Sequence, residues 1–129
     1  MKAVLCKEYG PPESLVIEEV PSPEPGEGQV LIEVHAASVN FPDVLIIENK
    51  YQFKPPLPFS PGGEVAGRVA KVGPGVTKVK EGDRIIGSCG WGGFVEEIVV
   101  DEARCTPIPD EMDYNTGSAF LMTLSLIHI

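Results

Sequence analysis

The stretch Pro58–Arg84, PFSPGGEVAGRVAKVGPGVTKVKEGDR, decides how this chain folds. It reads as a strand over Glu64–Val72, with Gly67 in its middle. The turns Pro61-Gly62-Gly63 and Gly73-Pro74-Gly75 bound it. A further turn, Glu81-Gly82-Asp83, opens a strand over Arg84–Gly87. Glycine inside a strand marks a bulge or the close approach of another backbone, so Gly67 predicts one of these.

Working outward, Lys2–Lys7 and Leu15–Val20 read as strands, separated by the turn Glu8–Pro12. Pro21–Gly28 is a stiff loop, because proline removes donors and fixes φ. Gln29–Ser38 alternates like a strand, with Val30, Ile32 and Val34 on one face and Leu31, Glu33 and His35 on the other. Asn40–Ile47 predicts one or two helical turns capped by Asn40. Phe94–Val100 and a short segment near Arg104–Ile108 complete the strands. Asp113 is placed to cap a last helix over Tyr114–Thr123. Many short strands between Gly/Pro turns predict a barrel or sandwich.

The 129 residues suit one domain. A formal charge of −9 argues against nucleic acid, which needs a basic footprint. The three cysteines, Cys6, Cys89 and Cys105, form no CxxC pair, so a structural zinc is not expected. Free thiols point to a reducing cytoplasm. Met1–Tyr9 alternates like a strand, so no signal peptide is expected, and no run is long and apolar enough to cross a membrane.

The opening MKAVLCKEYGPPESLVIEEVPSPEPGEGQVLIEVHAASVNFPD, the segment Tyr51–Arg84 and the later GGFVEEIVV occur in order along the chain. Together they resemble the N-terminal, GroES-like domain of the medium-chain dehydrogenase/reductase superfamily. The resemblance implies a mainly β, partly open barrel with short helices over residues 1–123, ending before a Rossmann domain that binds the cofactor. Zinc-binding members carry Gly-His-Glu where this chain has Gly62-Gly63-Glu64. They also place a cysteine ligand near Asn40 and a four-cysteine lobe after the GDR turn. None of these is present, so no zinc is expected and a zinc alcohol dehydrogenase is disfavoured. VNFPDVL and PFSPGGEVAGRV look like the zinc-independent quinone oxidoreductase branch.

That branch implies a homodimeric, NADPH-dependent reductase of quinones or α,β-unsaturated carbonyls. Asn40 would lie beside the nicotinamide, where an amide offers both a donor and an acceptor. Read from the residues alone, it is a helix cap. Asp43 would cap the same turn or organise a polar network at the cofactor cleft. Tyr51 would hydrogen-bond the acceptor oxygen as charge builds there; alternatively it is a buried ring with a wet hydroxyl. The branch often has a second tyrosine where this chain has Leu45. Thr123 falls where the family helix approaches the cofactor.

Three other residues have plainer readings. Glu64 reads as a structural carboxylate, and His35 as a solvated or satisfied strand residue. Trp91, among glycines, either packs or borders the substrate cleft.

Residues 124–129, Leu-Ser-Leu-Ile-His-Ile, do not resemble the family. They match the translation of a transposon-end adaptor from sequencing libraries, and are expected to be a non-native tail. No GxGxxG turn follows any strand, so the chain alone is expected to bind nicotinamide dinucleotide poorly and to be inactive. The competing reading is a non-catalytic β-barrel interaction module, because fold does not imply function.

Overall fold

The computed structural model describes residues 1–52 and 54–120. Among these residues, seven strands make two antiparallel sheets. The first pairs β1 (Lys2–Leu5) with β2 (Val16–Glu19). The second contains β3 (Gln29–Ala37), β4 (Glu64–Val72), β5 (Arg84–Ser88), β6 (Glu97–Asp101) and β7 (Cys105–Pro107), in the order β6-β3-β4-β5-β7. Single bridges at Ala3–Val95 and Cys6–Phe59 fasten the small sheet to the rest of the fold. The sheets stay open rather than closing into a full barrel, and the fold is mainly β as expected.

β4 occupies the span read from its turns, and Gly67 shows why a glycine is needed there. A Cβ on Gly67 would lie 2.0 Å from the carbonyl oxygen of Glu33, so no side chain fits. Gly67 pairs with Val34, next to a register shift between Val34 and Ala36. The expected close approach is therefore real, and it sits where β3 bulges.

Valine and isoleucine from neighbouring strands fill the main core. Val30, Ile32, Val65, Val69, Ile85, Ile98 and Val100 are all buried, together with Cys105. Ala66, Ile86 and Ile108 bury a second layer. Helix α2 (Tyr114–Ser118) packs there, with Gly117 against Ile108. The β4–β5 pair is thus apolar on both sides, which is why its strands read as nearly continuous hydrophobic runs. Leu31 is also buried, although alternation placed it with the outward Glu33 and His35. A register shift between Leu31 and Ile32 breaks the strict alternation at that point.

Other boundaries moved for local reasons. β1 stops at Leu5 because Cys6 turns to bond Phe59 instead. β6 begins at Glu97, not Phe94. The N–H groups of Phe94 and Glu96 are taken by Pro61 and Lys2, outside the β3 ladder. Asp113 caps α2 as expected, accepting the Thr116 N–H at 2.7 Å. Tyr114 stacks on His35 with centroids 4.4 Å apart, and the Arg84 guanidinium lies 4.6 Å from its ring centre. His35 also meets Glu33 at 3.1 Å, so it is a satisfied residue. The expected helix residues beyond 120, Thr123 among them, and the tail 124–129 lie outside the described residues.

Candidate active site

Asn40 ends an extended segment, with φ −126° and ψ 164°, immediately before helix α1 (Phe41–Ile47). Pro42 in the first turn forfeits no helix hydrogen bond, since that N–H would have no partner inside the helix. The Asn40 N–H donates to Asp43 Oδ2 at 2.8 Å, which is the carboxylate half of a capping box. The Asn40 amide itself is half-buried, and its Nδ2 donates to Ser38 Oγ at 2.9 Å. Asn40 is therefore a helix-entry residue whose amide still reaches the surface.

Asp43 does more than cap. It is buried, and it also accepts the N–H groups of Gly62 and Gly63. Burial pushes its carboxyl above the usual aspartate range, while the backbone donors from Asn40, Gly62 and Gly63 pull it back. One carboxylate thus ties the start of α1 to the turn that precedes β4. That turn is the position where zinc-binding relatives would offer histidine.

A second segment interlocks with the same turn. The N–H groups of Cys89 and Gly90 donate to Gly63 O, at 2.9 and 3.3 Å. Gly92 donates to Ser60 O at 2.7 Å, Gly93 to Gly62 O at 2.9 Å, and Phe94 to Pro61 O at 3.0 Å. Gly62 has φ +101°, and a Cβ there would lie 2.6 Å from the Phe94 ring. Position 62 is closed to side chains by both conformation and space. Cys89 Sγ points at Gly62 O, 3.4 Å away. Its thiol is pushed up to about 12, chiefly by burial, then by the Asp43 charge with a smaller push from Glu64, against a counter-pull from Arg104. Glu64, at the head of β4, is 1% exposed. That burial suits the structural role expected of it.

The far end of α1 is different in kind. Ile46 and Ile47 pack with Cys6 and Phe59, and half-buried Tyr51 rests against this cluster. Seven helical residues rise about 10 Å between the Asn40 entry and the Ile47 end of α1. The structure brings Asn40 and Asp43 together directly; it places Tyr51 with the apolar group. Beside α1, an apolar hollow of about 220 Å³ is walled by Leu15, Val39, Val44, Ile47 and Phe94, with Asp43 at its edge. Among the described residues, no group of three or more His, Cys, Asp or Glu is placed to hold a metal ion.

Sequence reasoning missed the 89–94 interlock. The only signal for it was the run of glycines at 90, 92 and 93, of which Gly90 and Gly92 adopt φ +78° and +97°.

Residues 26–110 match the alcohol dehydrogenase GroES-like domain family. The chain belongs to that family. Its homologues are quinone oxidoreductases of the medium-chain dehydrogenase/reductase superfamily. The GroES-like domain is 40% identical to a quinone oxidoreductase-like protein 2 homolog of Nematostella vectensis, over 99% of this chain and 35% of that protein. It is similar in structure to the human synaptic vesicle membrane protein VAT-1 homolog-like protein. There the TM-score is 0.95 at 27% identity, over 99% of this chain and 41% of the other. It is also similar to Escherichia coli quinone oxidoreductase complexed with NADPH, with TM-score 0.92 at 28% identity, over 99% of this chain and 40% of the other. The GroES-like domain thus spans little more than a third of the length of the first of these relatives.

Proposed function

We propose that this chain forms the acceptor-side half of an NADPH-dependent, zinc-independent oxidoreductase acting on quinones or α,β-unsaturated carbonyls. The nucleotide-binding half would lie outside the 129 residues. The observation that carries this reading is the buried Asp43 carboxylate, which binds Asn40 to the Gly62-Gly63 turn. In this arrangement backbone amides and an aspartate occupy the place of a metal ligand set. The likeness to a quinone oxidoreductase complexed with NADPH supplies the cofactor class.

The residues present suit the nicotinamide end of such a cofactor and not its phosphates. The Asn40 amide reaches the surface between Val39 and Phe41, which are 73% and 72% exposed. An amide there offers a donor and an acceptor to a carboxamide or ribose. No glycine-rich phosphate turn occurs in the chain. When bound, the nicotinamide supplies the hydride, and a conjugated acceptor is already electrophilic at carbon.

The chain's own residues then do three things. Asn40 orients, Asp43 holds the Asn40 backbone and the glycine turn in register, and the Tyr51 hydroxyl donates to the acceptor oxygen as negative charge develops. Apolar Val39 and Phe94 limit water nearby. The three free thiols, Cys6, Cys89 and Cys105, suit a reducing, cytoplasmic setting for this reading.

The test is NADPH oxidation with a quinone acceptor. It compares the 129-residue chain with a protein extended by the downstream open reading frame. The extended protein is expected to turn over without added metal, and the shorter chain to be silent. In the extended protein, Tyr51→Phe should lower kcat about tenfold or more, as loss of an oxyanion donor does. Robust oxidation by the shorter chain, or activity that a chelator abolishes and zinc restores, would overturn the reading.

A further inference from the structure

Trp91 is the only tryptophan in the chain, and its side chain is 40% exposed. It belongs to none of the three buried clusters. Among the described residues, the aromatic stack and the cation–π contact both fall on Tyr114 instead. Trp91 is thus a partly covered aromatic outside the core.

Its backbone, by contrast, is tightly held. Gly90 and Gly92 flank it, both left-handed. The segment is pinned at Cys89, Gly90, Gly92 and Gly93 to the carbonyls of Ser60, Gly62 and Gly63. Gly62 and Gly63 in turn give their N–H groups to Asp43, which also holds Asn40. Three hydrogen bonds in series thus connect the indole-bearing loop to the Asn40 backbone. A large aromatic ring is presented to solvent on a fixed base beside the candidate site. An ordered aromatic surface of that kind binds flat π-systems at little entropic cost.

We propose that Trp91 is the wall on which the acceptor ring stacks, and that it selects planar, conjugated carbonyl compounds. The assignment of the ligand as an acceptor rests on the reductase reading above, and the test separates the two.

A lone tryptophan lets binding be read on the 129-residue chain itself. The probe is duroquinone, whose ring carbons are all substituted, so that it does not arylate the thiols. Titration should quench the tryptophan emission saturably, whereas a saturated cyclic dione of the same ring size should not. Ligand-observed NMR then gives affinities for variants that lack the fluorophore. Trp91→Ala should bind duroquinone about two- to tenfold more weakly, the range for one aromatic contact, and Trp91→Phe should recover most of the loss.

Linear quenching that matches free N-acetyltryptophanamide overturns the proposal. So does a Trp91→Ala variant that binds equally well. Saturable quenching in the chain, with no quinone turnover by the extended protein, leaves the stacking site and removes the reductase reading. Turnover with an unchanged KM in Trp91→Ala does the reverse.

Discussion

The two ends of α1 hold the molecule together by opposite means. At the Asn40 end, one buried carboxylate collects backbone N–H groups from Asn40, Gly62 and Gly63. At the Ile47 end, Ile46, Ile47, Cys6 and Phe59 exclude water with no directional bond among their side chains. Hydrogen bonds to a buried charge are specific and unforgiving, because an orphaned donor keeps its full desolvation cost. Apolar contacts are tolerant, because nearby groups relax in part around a lost methyl. The first kind of end holds Asn40 in register, and the second gives Tyr51 an apolar footing.

The largest contrast should appear in thiol chemistry. Cys89 lies at the polar end, and its thiol is pushed from 9.0 to about 12. At pH 8 its thiolate population should be about a thousandfold below that of an ordinary cysteine, with alkylation slowed to match. Mass spectrometry of iodoacetamide-treated native protein reads this at the Cys89 peptide. Asp43→Asn should raise the rate only in part, since burial is the first cause of the shift and the Asp43 charge the second. Ready alkylation of native Cys89 would erase the contrast.

Next in size is Asp43→Ala. It strands the N–H groups of Asn40, Gly62 and Gly63, and should cost about 3–5 kcal/mol in urea unfolding. Asp43→Asn keeps an acceptor oxygen and should cost less. The two variants also separate in their pH dependence. Asp43 has its folded pKa raised above the ordinary 3.8, so the folded state binds this proton more tightly than the unfolded state. Its contribution is present below 3.8 and is lost as pH rises through the raised value. The stability gap between wild type and Asp43→Asn should therefore shift in favour of the variant as pH climbs from about 4 toward neutrality. A flat gap would mean that the backbone donors fully offset the burial and leave the folded carboxyl unshifted.

The smallest effect belongs to the apolar end. Ile47→Val removes one methylene from a buried cluster and should cost about 1 kcal/mol. It should leave Cys89 labelling unchanged, because no bond joins the two ends through that side chain. If Ile47→Val sped Cys89 alkylation as much as Asp43→Asn does, the ends would be one cooperative unit and the contrast would dissolve.

Several elements were legible in the residues alone. β4 spans Glu64–Val72, as its bounding turns implied, and Gly67 marks the close approach its position predicted. The entry to α1 at Asn40 and the Asp113 cap follow from short-range capping chemistry. The candidate site was legible only as a set of residue types. Asn40 and Asp43 are three apart, and one helical turn joins them. The reach of Asp43 to Gly62 and Gly63, and of Gly63 to Cys89 and Gly90, passes over long stretches of chain at each step. No periodicity spans that distance. Leu31 shows the same limit within a strand, where a bulge undid the alternation that placed it outside.

Composition and turn chemistry by themselves settled that this is a chain of short strands between tight turns, with capped helix starts at Asn40 and Asp113. Those features depend on a residue and its near neighbours, and neighbours are what a sequence records. Only tertiary structure decided that one aspartate clasps the glycine turn, and that the sole tryptophan stands exposed on a pinned loop next to it. Both outcomes depend on which distant backbone groups come within about 3 Å of one another, and that is set by strand pairing rather than by adjacency along the chain.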